Sequence, residues 1–195
     1  MTRFTVRTGQ VGDAAAVADL HAERIGEGFL VTLGPRFLRR LYRRIALSPD
    51  AVLLIAESGG RVVGFVAAAT STRRLYGQFV RRDALPAGLA AAPAVLRAPR
   101  QVWETFRYGS ADEDDLPAAE VLSIAVAPDA TGQGIGGALL GAAQKELTQL
   151  GAAEARVVTA VDNDAALAMY EHAGFRRRST TEVHAGVPQE VLVWP

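Results

Sequence analysis

Along the chain, short β-type apolar runs alternate with amphipathic stretches of helical period. Phe4–Arg7 reads as a strand. A helix is predicted from Gly12-Asp13 onward, with Asp13 as N-cap and Val17, Leu20 and Ile25 on its buried side. Gly26–Gly34 (GEGFLVTLG) reads as a loop, and Pro35 suits the first position of the next helix. That helix places Phe37, Leu38, Leu41, Tyr42 and Ile45 on one face and Arg36, Arg39, Arg40, Arg43 and Arg44 on the other. Ala51–Glu57 and Arg61–Thr70 flank Ser58-Gly59-Gly60, the pattern of a hairpin.

Residues Ser71–Pro117 break this rhythm. A structureless connection of that length is uncommon inside a compact domain, so it is predicted to contain helix. Val95 and Leu96, then Val102, Trp103 and Phe106, fall at helical spacing, with Pro86, Pro93 and Pro99 cutting the segment into pieces. Its apolar residues need a surface to cover: the core, a substrate pocket, or a second copy of the chain in a homodimer. Beyond it, Glu120–Val126 is a β-type run ending before Pro128. Ile135, Leu139, Ala142, Ala143, Leu147 and Leu150 mark a helix, Glu154–Ala160 a strand, and Leu167 and Tyr170 a last helix stopped at Gly174. Phe175–His184 and Gln189–Trp194 read as a final hairpin.

Composition adds limits. The chain has 195 residues, so one domain over residues 1–195 is expected, with a sound core. Lys+Arg and Asp+Glu are 21 each, which gives no sign of a nucleic-acid or membrane partner. There are no cysteines, which excludes a disulfide scaffold, a thiolate nucleophile and a cysteine metal site. The three histidines, His21, His172 and His184, are scattered, and no His/Asp/Glu cluster has metal-ligand spacing, so no metal is expected. With no apolar leader and no long apolar run, a cytoplasmic location is the expectation.

The informative stretch is Val121–Leu140, VLSIAVAPDATGQGIGGALL. Gly132, Gly134, Gly136 and Gly137 fall within six residues, between a strand and the helix that opens at Ile135. The first turn of a helix has N–H groups without partners, and its dipole favours negative charge. Glycines let a backbone approach phosphate oxygens closely. Residues 132–137 are therefore a candidate phosphate or pyrophosphate cradle; the alternative is a tight turn whose glycines only permit packing. Gly132-x-Gly134-x-x-Gly137 formally satisfies a dinucleotide fingerprint. That fingerprint follows its strand directly, whereas Ala127–Thr131 intervene here, and too little chain remains for a doubly wound domain. A P-loop would need Lys-Ser/Thr after Gly137, where Ala138-Leu139 stand.

The same residues resemble the acetyl-CoA motif of the GNAT superfamily of N-acetyltransferases: Val-x-Pro, then Arg/Gln-x-x-Gly-x-Gly/Ala opening a helix. Val126-Ala127-Pro128, Gly134 and Gly136 match, while the Arg/Gln position is Thr131, a departure. Asn163-x-x-Ala166-x-x-x-Tyr170-x-x-x-Gly174-Phe175 resembles the family's second signature in full. The resemblance covers nearly the whole chain except 71–117. It implies an α/β (α+β) fold with a mixed, mostly antiparallel central sheet flanked by helices, and a helical insertion between the third and fourth strands.

It also implies an acetyl-CoA-dependent N-acetyltransferase. Acetyl transfer to an amine needs a bound thioester, an uncharged nucleophile, a stabilised oxyanion and a proton for the departing thiolate. By resemblance, Ile124, Ala125 and Val126 pair through their backbone with the pantetheine arm, and Thr131, Gly132, Gly134, Ile135, Gly136 and Gly137 surround the pyrophosphate. Asn163 is either a cofactor contact or a helix N-cap. Tyr170 stands at the position of the acid, where a tyrosine stays protonated at neutral pH, or it is a packed aromatic. Glu120, at the start of the strand leading to the cradle, is the candidate base, directly or through water, or an exposed strand-end carboxylate. The expected acceptor is a small-molecule primary amine, reached by direct transfer in a ternary complex. A protein N-terminus or lysine is the alternative acceptor, and a non-catalytic acetyl-CoA-binding sensor module the alternative function.

Overall fold

The computed structural model describes residues 4–25, 29–79, 81–82, 116–183 and 187–195. Its elements are β1 (Thr5–Thr8), a 3-10 turn (Val11–Asp13), α1 (Ala14–Arg24), α2 (Phe29–Thr32), α3 (Pro35–Leu47), β2 (Ala51–Ser58) and β3 (Arg61–Ala69). Residues 72–79 form α4. There follow β4 (Glu120–Val126), a 3-10 turn (Pro128–Ala130), α5 (Ile135–Gln149), β5 (Ala155–Ala160), α6 (Asp164–His172), β6 (Arg176–Val183) and β7 (Val187–Trp194).

Seven strands form one sheet in the order β1-β2-β3-β4-β5-β7-β6. Every neighbouring pair is antiparallel except β4 and β5, which are parallel and joined through α5. The expected mixed, mostly antiparallel sheet is therefore present. The β2–β3 hairpin turns at Gly59 and Gly60, both at positive φ, as a two-residue turn of right-handed strands requires. One face of the sheet is covered by α1 and α3 and the other by α5. Phe65 sits on the first side, against Tyr42. Gly64 is on the second, where an added Cβ would lie 3.0 Å from Ile135 Cγ2 and 3.1 Å from Leu139 Cδ1. α5 therefore crosses β3 so closely that a larger residue there would push Ile135 and Leu139 aside.

Four expectations need correction. Asp13 stands at the N-cap position of α1, as expected, but its side chain makes no capping hydrogen bond: it is also the last residue of the 3-10 turn, and its carboxylate accepts a hydrogen bond from the Gln10 backbone N–H and pairs with Arg7 at 2.8 Å. The ion pair with β1 competes for the carboxylate that a cap would use. The loop 26–34 contains α2, a helix of one turn, too short for apolar periodicity to reveal. Leu150 keeps the helical spacing but lies beyond the end of α5 and is 43% exposed. Ile25 likewise follows α1 and is only half-buried. In the insertion, α4 packs through Leu75 and Phe79, and Phe79 meets Phe37 edge-on at 5.4 Å. Val95, Leu96, Val102, Trp103 and Phe106 lie outside the described residues.

His21 is the unusual member of the core, 3% exposed between α1 and Phe65. Burial lowers its pKa from 6.5 to about 4. The unfolded chain then takes up a proton below pH 6.5 that the folded chain refuses until about pH 4. Stability from this group is complete above pH 6.5 and is lost as pH falls toward 4. The expected loss is about 3 kcal/mol between pH 7 and pH 4. Urea unfolding at both pH values, repeated on His21→Gln, measures it: the variant should show a smaller difference. The Arg7–Asp13 pair, which lowers the Asp13 pKa, adds loss of the same sign at lower pH.

Candidate functional site

β4 runs antiparallel to β3 along its whole length, from Glu120 opposite Ala69 to Val126 opposite Gly64. The register slips at one place: Ser123 faces Ala67 and Val121 faces Ala68, so Leu122 is an extra residue, a β-bulge. On its other side β4 pairs with β5 only at Glu120–Arg156 and Val121–Val157. Beyond Val121 the two strands part, and β5 continues paired to β7 alone. Residues 122–126 thus turn their outer backbone groups into a slot inside the sheet. Ile124, Ala125 and Val126, the residues expected to meet a pantetheine arm, lie along it.

The slot leads to the glycine turn. Thr131 anchors it by donating its hydroxyl hydrogen to the Ala127 carbonyl at 3.2 Å. Gly132 and Gly134 have φ of +79° and +77°, and Gly134 caps α5 without any side-chain hydrogen bond to its first turn. A Cβ at Gly132, Gly134 or Gly137 would touch nothing within 4 Å, so the N-terminus of α5 is open on that side. Gly136 has a different role: a Cβ there would lie 2.8 Å from Met169 Sδ, so its hydrogen is what lets α6 pack against α5. The first turn of α5 carries no acidic residue, although carboxylates are stabilising there. An open ring of unpaired N–H groups without a carboxylate fits a pyrophosphate. Gly137→Asp should therefore have opposite effects on two measurements. The protein without ligand should be stabilised by about 0.3–1 kcal/mol in thermal melts. Its acetyl-CoA affinity by calorimetry should fall about tenfold or more, from repulsion between like charges.

Asn163 caps α6: its side-chain oxygen accepts the Ala166 N–H at 3.2 Å, and its amide nitrogen lies 3.4 Å from Thr159 Oγ1. Tyr170 sits one residue after Met169 on α6, 5% exposed and tilted against Phe175 at 5.7 Å. Burial pushes the pKa of its phenol up, so it holds its proton. Among the described residues its hydroxyl has no hydrogen-bond partner. Glu120 is no exposed strand end: its Oε2 accepts from Arg156 Nε at 2.9 Å, and Arg156 is 4% exposed. Tyr76 of α4 lies close enough to feel that carboxylate: burial first, and the Glu120 charge second, raise its pKa.

Glu120, Ile124–Val126 and the turn 131–137 thus follow one another along β4 to the start of α5; α6, which carries Tyr170 and is capped by Asn163, meets α5 where Met169 approaches Gly136. His172 is exposed on α6 and joins none of this, and His184 lies outside the described residues. A depression of about 410 Å³, lined by Asp19, Glu23, Arg61, Ala127, Pro128 and Asp129 among others, borders the Val126-Ala127-Pro128 step but holds none of the residues expected to bind acetyl-CoA, and its acidic groups suit no phosphate. Sequence reasoning missed Arg156, Tyr76, Ser123 and Tyr42. The last two are linked: Tyr42 Oη lies 2.9 Å from Ser123 Oγ. The missed residues come from separate elements, and no spacing in the chain joins them.

The family profile described as acetyltransferase (GNAT) family matches residues 18–175. The chain belongs to that family. It is therefore an acyltransferase by class, and both signatures and the path above lie inside the matched span. A curated relative, mycothiol acetyltransferase of Kocuria rhizophila, is 39% identical over 75 residues, which are 38% of this chain. The match covers only about a quarter, 24%, of that relative's length. Solved structures share the fold. The phosphinothricin acetyltransferase of Sinorhizobium meliloti, in complex with acetyl-CoA, superposes with a TM-score of 0.65 at 18% identity, over 100% of this chain and 89% of that one. The ribosomal-protein-S18-alanine N-acetyltransferase of Escherichia coli gives 0.63 at 16% identity, over 99% and 94%. Among the described residues no helix is long and apolar enough to cross a membrane, and no group of three acidic or histidine side chains could hold a metal.

Proposed function

We propose that the chain moves the acetyl group of acetyl-CoA to the primary amine of a small molecule, by direct transfer in a ternary complex. The observation that carries the reading is the continuous path from the β4–β5 slot to the open start of α5. Acetyl-CoA has a matching shape: an extended amide-bearing arm that ends in a pyrophosphate. The arm adds to β4 at Ile124–Val126 as a strand would, with backbone hydrogen bonds. The N–H groups at 132–137 take the pyrophosphate, Thr131 holds the turn, and Asn163 fixes the start of α6 beside it.

The thioester supplies an activated acetyl group, so the protein need not form a covalent intermediate. Its tasks are to place the amine, to accept a proton from it and to return one to the thiolate. Glu120 takes the first proton, directly or through water, with Arg156 fixing its position. Tyr170 gives the second, since its phenol is protonated and unengaged. The small acceptor is supported by α4, which brings Tyr76 next to Glu120 and narrows that side. The similarity to a mycothiol acetyltransferase points the same way.

The test is thiol release from acetyl-CoA across a panel of amino sugars, polyamines and amino-acid amides, beside peptides with free N-termini. Turnover confined to the small amines is expected. Peptide turnover alone would reverse the acceptor assignment. Failure of acetyl-CoA to bind or to raise the melting temperature would end the whole reading.

A further inference from the structure

His21 has a polar atom that nothing above uses. Its Nδ1 lies 2.5 Å from Tyr42 Oη, and Tyr42 Oη lies 2.9 Å from Ser123 Oγ. Phe65 stacks on the imidazole at 6.4 Å and meets the Tyr42 ring edge-on at 5.3 Å. Three polar groups, from α1, α3 and β4, are thus joined in single file through an apolar layer. Tyr42 is 1% exposed and His21 3%, while Ser123 is half-buried. The file begins in the core and ends at β4, on the first residue past the Leu122 bulge.

The dead end of the file sets its direction. His21 Nε2 is buried and has no hydrogen-bond partner. A neutral imidazole has one proton, on either nitrogen. A buried N–H without an acceptor is among the costliest arrangements in a core, and orphaned acceptors are tolerated more often. The proton therefore belongs on Nδ1 and the bare lone pair on Nε2. Nδ1–H then donates to Tyr42 Oη, and the Tyr42 hydroxyl donates to Ser123 Oγ. The Ser123 hydrogen is the only one in the file left to point outward. Ser123 itself lies past the last β4–β5 pair, where the two strands have parted.

We propose that His21, Tyr42 and Ser123 form a directional hydrogen-bond chain that presents the Ser123 hydroxyl as a donor to the oxygen of the reacting acetyl group. Ser123 is then a catalytic residue, and Tyr42 and His21 are positioning residues. Amine attack moves negative charge onto that oxygen. A donor already aimed there stabilises the charge without reorganising. The proposal rests on the acetyl-CoA reading of the slot, and part of its test stands apart from turnover.

The first measurement is the ¹⁵N spectrum of the His21 ring in the protein alone. A protonated Nδ1 and a pyridine-type Nε2 are expected; the opposite tautomer would overturn the chain's direction. The second is steady-state kinetics. Ser123→Ala should lower kcat about a hundredfold and leave the acetyl-CoA Kd within about twofold, and Ser123→Thr should recover most of the rate. Tyr42→Phe should lower kcat on its own but add nothing in the Ser123→Ala background, because its effect runs through that hydroxyl. An unchanged rate in Ser123→Ala, or additive effects of the two changes, would refute the chain. A wild-type protein that binds acetyl-CoA but acetylates no amine would instead count against the proposed reaction, and the ring shifts would still decide the direction.

Discussion

Tyr170→Phe should reduce turnover by roughly a hundredfold or more while leaving acetyl-CoA binding and the melting temperature near wild type. The aromatic ring stays against Phe175, so packing is kept. The hydroxyl has no partner among the described residues, so its removal breaks no internal hydrogen bond. On the proposed mechanism, what is lost is the proton destined for the thiolate. Because burial raises the Tyr170 pKa, the phenol remains the acid form well into the alkaline range. The kcat profile should therefore show no loss between pH 7 and pH 9 from this group, and any ascending limb belongs to the amine or its base. Calorimetry and steady-state kinetics on the pair of proteins check this; equal kcat values would remove Tyr170 from the chemistry.

Glu120→Ala should have the largest effect on stability. It takes the carboxylate away from a guanidinium that is 4% exposed. Removing one partner of a buried ion pair costs about 3–5 kcal/mol when the other charge is left alone; Arg156 keeps a further partner, so about 1–3 kcal/mol is expected. For a chain of this size that is a fall in melting temperature of roughly 5 °C. Glu120→Gln keeps an oxygen for Arg156 Nε and should lose much less. The two variants together separate the roles of Glu120. If it is the base, Glu120→Gln will fold well and still turn over slowly. If it only positions Arg156, Glu120→Gln will keep most of its rate. An alanine variant that melts with the wild type would show that the pair contributes little to the fold.

The shape of the candidate cofactor side was legible in the sequence and that of the candidate acceptor side was not, for physical reasons. The candidate cradle is local: strand, turn and helix start lie within 20 consecutive residues, so glycine spacing and helix period report that backbone geometry directly. The Asn163–Phe175 signature is local in the same way: it puts Tyr170 on α6 and offers Asn163 as the cap of that helix, where both are found. The bulge at Leu122 is not local. It is a property of β4 against β3, two strands separated by the whole insertion, and no residue in VLSIAV announces it. The partner of Glu120 lies 36 residues away, and Ser123 lies 81 from Tyr42. Each of those residues alone reads as an ordinary polar or aromatic position. Asp13 shows a mixed outcome. The sequence places it correctly at the N-cap of α1, but its carboxylate is taken by the Gln10 N–H and by Arg7, so it does not bond the helix's first turn.

The parting of β4 from β5 also bears on how the chain meets other chains. A sheet normally has unpaired edges only at its rims, where another strand can add and aggregation can start. This sheet has two more edges in its interior, the outer sides of residues 122–126 and of the end of β5. Each is backed by its own partner, β3 or β7, so exposing them costs neither half its ladder. A strand from another molecule would have to enter end-on between two finished half-sheets. A thin, flexible arm with a few amides can enter there far more easily. On the proposed reading, the fold keeps an unpaired edge for a small ligand at a place that a strand of another molecule reaches poorly.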